Sequence, residues 1–143
     1  MANPFDLRSV LLARHAQHVV LIHFPIALFL TGVFLDLAAR GQRESPMGTA
    51  ADVNFAGAAI TIVPAFLTGI LAWRFVLDGE RIHGLLLLHV IAASTTAALV
   101  ITCWWIRRNN RVRTVSRYAL EIAGAILIAV TAHLGGFLSG VNS

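Results

Sequence analysis

Four long apolar runs separated by short polar stretches organise the chain. They lie near residues 17–39, 53–77, 82–106 and 118–138, and each supplies the roughly 20 helical residues that cross about 30 Å of hydrocarbon. The sequence "LAAR" after the first run resembles a processing site. That run is too long for a signal-peptide core and carries two histidines, so it is read as a retained span. The connections "RGQRESPMGTA", "DGER" and "RRNNRVRTVSR" are short, and short connections make neighbouring helices antiparallel. The predicted fold class is therefore all-α, an integral membrane up-down-up-down four-helix bundle. Ahead of the first span, "NPFDLRSVLLARHAQ" mixes Phe5, Val10, Leu11 and Leu12 with Asp6, Arg8 and Arg14. That mixture predicts a short N-terminal interfacial helix over about residues 4–15. There is no internal repeat and no low-complexity segment, so 1–143 reads as a single membrane domain.

Composition agrees: 57% of the residues are hydrophobic and 13% charged, and 143 residues leave room for one domain. The net charge of +4 comes from arginine, since the chain has no lysine. These arginines sit between apolar runs, so they read as topology signals and no nucleic-acid partner is expected. Arg40 and Arg43 of the first connection and Arg107, Arg108, Arg111, Arg113 and Arg117 of the third make seven, against Arg8, Arg14, Arg74 and Arg81 on the other side. The majority predicts that the first and third connections are cytoplasmic, with both termini and the "DGER" turn outside. Trp104 and Trp105 then fall at the cytoplasmic interface. Cys103 is the only cysteine, which excludes an intrachain disulfide, a CxxCH haem attachment and a thiolate metal cluster.

The histidines change the picture from scaffold to site. On this topology His18 and His23 lie at the outer end of the first helix, His83 and His89 at the outer start of the third, and His133 near the outer end of the fourth. At 1.5 Å per residue, His23, His89 and His133 each fall on the order of 9 Å below the outer interface, with His18 and His83 in a shallower layer. Five histidines from three helices thus converge on one end, and no such set is expected at the other. Taken singly, an interfacial histidine is an ordinary amphipathic side chain. Ionisable residues deep in a membrane are rare and usually functional, and three at one depth are poorly explained as a helix-to-helix hydrogen bond.

Asp36 and Glu121 are the only acids within the predicted spans. Both lie near cytoplasmic ends, where Arg40 and Arg117, each four residues away, predict helix-end pairs. The outer site is then all-imidazole, and no acid or nucleophile near it supports hydrolysis. Haem b with two axial histidines fits this donor set best, the apolar bundle interior holding the macrocycle. Copper or zinc on His23, His83, His89 or His133 is the competing reading, and a cofactor-free membrane anchor or assembly subunit is the other. Gly69, Gly84, Gly135 and Gly136 open space beside the histidines or serve ordinary close packing. Pro25 and Pro64 free the carbonyls of Leu21 and Ile60, and a kink beside His23 helps aim its ring.

The segments "HVVLIHFPIALFLTGVFLDL", "PAFLTGILAW", "RIHGLLLLH" and "AHLGGFLSGVNS" together resemble the DUF2231 family of small four-helix bacterial membrane proteins. In that resemblance His18, His23 and His83 fall on the family's histidine positions, and His133 matches a branch ending His-x-Gly-Gly that is found near cytochrome c-type proteins. Val19 stands where the family usually has proline, and His89 is not a family histidine. The resemblance implies a multi-pass protein of the bacterial inner membrane with a redox or haem role. The expected function is electron transfer between membrane quinol and an outer-side cytochrome, with His18, His23, His83, His89, His133, Gly135 and Gly136 around haem b. Quinone is a further expected ligand, and the lipid bilayer and other respiratory or redox subunits are expected partners. No catalytic residue is assigned; whether the chain is itself an enzyme, and its oligomeric state, are left open.

Overall fold

The computed structural model describes residues 14–79, 81–109 and 114–139. Among them the regular structure is four long helices: α1 (Arg14–Ala39), α2 (Pro46–Val76), α3 (Gly84–Asn109) and α4 (Thr114–Leu138). Each contains a stretch long and apolar enough to cross a membrane. The interfacial helix expected over about residues 4–15 lies almost wholly outside the described residues; Arg14 and His15 already belong to α1.

Helix ends follow local chemistry. Arg40 and Gly41 take φ values of 51° and 82° and stop α1, as a left-handed C-terminal turn does. Ser45 then caps α2: its Oγ accepts from Gly48 N at 3.1 Å, and Pro46 occupies the first turn, where a missing N–H costs nothing. This cap starts α2 well before Val53 and brings Asp52 into the helix. Asp78 and Gly79, at φ 47° and 66°, close the other end.

The helices pack in cyclic order. α1 lies most extensively on α2 and α3 on α4, with α2 against α3 and a sparser α1–α4 contact. α1 and α3 are thus diagonal across the bundle. The midplane core is Phe29 and Val33 of α1, Phe55 and Ala58 of α2, Val100 and Cys103 of α3, and Ile128 of α4. The Phe29 and Phe55 rings meet edge to face at 5.2 Å and 89°, a favoured aromatic geometry. The outside is also apolar: Phe34, Ile60 and Val115 are each at least 70% exposed. Such an exterior suits hydrocarbon, and four helices satisfying their own backbone groups suit it too. The chain is a membrane protein with four spans. One end carries the histidines and the turn at 77–79; the other carries the 40–45 turn and the arginines.

Candidate functional site

At the histidine end residues of all four helices line a cavity of about 560 Å³, within the range of small-molecule and cofactor sites. Its walls are mostly apolar, including Ile22, Ile26, Ile62, Phe66 and Ile128. His18 and His23 enter from α1, His89 from α3, and Gly69 and Gly135 from α2 and α4.

Each of these three imidazoles is held differently. His23 Nδ1 lies 2.6 Å from the carbonyl of Val19, one turn earlier on α1. A carbonyl only accepts, so Nδ1 carries the proton and Nε2 the lone pair. A histidine fixed in this way is pre-set for ligation through Nε2. Pro25, two residues on, is buried against the same cavity.

His18 crosses to α2, with Nδ1 3.1 Å from the carbonyl of Ala65 and 3.3 Å from Thr68 Oγ1. Gly69 leaves room for that ring, since a Cβ there would stand 3.0 Å from His18 Cε1. His89 lies against Gly135 in the same manner, a Cβ there falling 3.1 Å from its Cε1. Its Nδ1 is buried, and the ring makes a hydrogen bond to the Thr131 backbone. Below the rings Thr96 and Thr131 share a 2.9 Å hydrogen bond at the cavity floor.

The other two expected histidines are elsewhere. His83 precedes α3, is exposed and does not line the cavity. His133 is exposed on α4, its ring edge-to-face with Phe137 at 4.9 Å. Gly135 and Gly136 do line the cavity. Among the described residues, no three of His, Cys, Asp and Glu come close enough to hold one metal ion. The Ala65 carbonyl, Thr68, Thr96 and Thr131 complete the site without having been singled out in sequence. Ala65 and Thr68 lie in the "PAFLTGILAW" segment quoted above; Thr96 and Thr131 lie in no quoted segment.

The arginine end is not an empty scaffold: Glu121 pairs with Arg117 as expected, at 3.6 Å, whereas Asp36 does not pair with Arg40. Asp36 binds Arg107 at 2.9 Å and Arg117 at 3.1 Å. Arg40 has left the helix at φ 51° and is exposed, so it takes no part. Glu121 lies 3.0 Å from Arg107 and 3.6 Å from Arg117. Asp52 joins from α2, contacting Arg107 at 2.6 Å and Arg43 at 2.8 Å. The Arg107 guanidinium also stands 4.6 Å from the centre of the Phe55 ring. Four helices are tied together here by charges, beside a midplane core that is apolar.

A family model described as a predicted membrane protein, DUF2231, matches residues 14–141. The chain belongs to the DUF2231 family. No curated protein and no solved structure matches it. Membership agrees with the four-span fold of this DUF2231 protein, and the family description carries no activity.

Proposed function

We propose that this DUF2231 protein holds haem b in the histidine-end cavity and passes electrons between membrane quinol and a cytochrome on the outer side. The observation that carries the reading is an apolar cavity flanked by imidazoles from two diagonal helices, His23 on α1 and His89 on α3. The donor set fits the group. His23 has its Nδ1–H tied to a carbonyl, His89 has a buried ring nitrogen and a backbone hydrogen bond at Thr131, and a Cβ at Gly69 or Gly135 would crowd the rings. A bound haem supplies one-electron chemistry at a potential set by its axial ligands and surroundings. The chain's own residues do the rest. His23 and His89 bind and orient; Ile22, Ile26, Phe66 and Ile128 exclude water; and Thr96 with Thr131 closes the floor. His18, nearer the membrane surface on the same helix, takes the quinol-contacting role.

Copper or zinc on two or three of the histidines is the alternative reading; among the described residues no three of His, Cys, Asp and Glu come together to hold one ion. Titrating hemin into the detergent-purified apoprotein tests the reading. A low-spin spectrum saturating at one hemin per chain is expected, one macrocycle being assigned to the one cavity. Saturation at two overturns the single-site assignment, and no specific spectrum overturns the haem assignment.

The arginine count supports placing the histidine end outside the cytoplasm of a bacterial cell. A reporter fused after Ser143 should therefore register as extracytoplasmic, and one inserted near Asn110 as cytoplasmic. The reverse pattern would put the cavity inside and remove the outer cytochrome as partner.

A further inference from the structure

At the arginine end two carboxyl groups meet on one guanidinium nitrogen. Asp36 Oδ1 lies 2.9 Å and Glu121 Oε1 3.0 Å from Arg107 Nη1, and both acids are fully buried. Two carboxyls this close titrate as a coupled pair rather than as separate groups. The second observation is on Glu121 itself. Its Oε2 is buried with no hydrogen-bond partner among the described residues. A bare carboxylate oxygen in an apolar interior is costly, and a proton is the smallest ligand that relieves it.

Charged and titratable groups reach this pair from every helix. Asp36 comes from α1. Asp52 comes from α2, with Arg43 from the turn before it. Arg107 and the Cys103 thiol come from α3, and Arg117 with the adjacent Tyr118 ring comes from α4. Asp52 is the rim of the cluster. Its side chain is 37% exposed while it touches Arg107, so it links the buried pair to the surface of the arginine end. Towards the histidine cavity, Phe29, Phe55, Val100 and Ile128 form an apolar layer that offers a proton no polar path.

We propose that the Asp36–Glu121 pair is a proton-binding site, loaded and unloaded one proton at a time through the Asp52 rim. Loading forms an O–H bond at a carboxylate oxygen, with the proton drawn from bulk water and no electron transferred. The cluster then gains one unit of positive charge, and unloading reverses both. The site is independent of what the histidine cavity binds.

Infrared pH-difference spectra of the full-length protein in lipid nanodiscs test this. The wild type should show a carboxylic C=O absorption titrating in a step separate from that of the solvent-exposed carboxyls. Glu121→Gln and Asp36→Asn should each abolish that step. Because either variant can fail to fold, wild-type protein labelled with 13C-carboxyl glutamate or aspartate provides a second readout, in which the same band should shift. A wild-type titration showing only the solvent-exposed step overturns the proposal. So does a separate step that survives Glu121→Gln and is moved by neither label.

Discussion

Arg107→Met should destabilise the bundle by about 3–5 kcal/mol, the cost of removing one partner from a buried ion network. Arg107 is 2% exposed and holds Asp36, Glu121 and Asp52 together while covering the Phe55 ring. Methionine fills much of the volume but leaves Asp36 and Glu121 facing fewer positive charges in an apolar interior. The contrast is Arg43→Met. Arg43 meets the rim carboxylate of Asp52, and the two side chains are 24% and 37% exposed, so loss of that pair should cost about 1 kcal/mol or less. Unfolding of both variants in mixed micelles, followed by circular dichroism, separates them. An Arg107→Met protein as stable as Arg43→Met would mean that the network does not hold the helices together.

The second large effect falls on the cavity. His23→Ala and His89→Ala should each lose the six-coordinate low-spin spectrum, because each removes one imidazole from opposite walls of the same space. His18→Ala should keep that spectrum and slow reduction by quinol. His83→Ala and His133→Ala should behave as wild type, since neither ring lines the cavity. Absorption spectra of the five purified variants check all of this together. If His23→Ala and His89→Ala both keep the wild-type spectrum, bis-histidine ligation between α1 and α3 is wrong.

These two effects also mark what a sequence of this kind reveals. Depth along a span is legible, because residue count and a fixed rise per residue convert directly into height. That is why the four spans and the gathering of histidines near one end could be read from the chain alone. Azimuth is not legible in the same way. In a soluble helix the polar face marks the outside, but here both the lipid side and the core side are apolar, so the period is muted. His133 and Gly135 stand two residues apart at nearly the same height, and only Gly135 lines the cavity.

The same ambiguity hid the ion cluster. Arg107 and Arg108 are adjacent and look alike as topology signals, yet Arg107 is buried and Arg108 exposed. Arg107 continues the buried stripe of Ala92, Thr96, Val100 and Cys103 on α3, a spacing visible in sequence only once the helix phase is known. Asp52 was missed for a different reason. The hydropathy of α2 suggested a start at Val53, whereas the Ser45 cap and Pro46 begin the helix earlier and carry Asp52 round to face Arg107.

The most direct test of the haem assignment is a reduced-minus-oxidised pyridine haemochrome spectrum, with protein quantified in parallel, on chain purified intact from cells supplied with a haem precursor. One haem b per chain is the predicted result. A folded, monodisperse protein that gives no haemochrome band would contradict it.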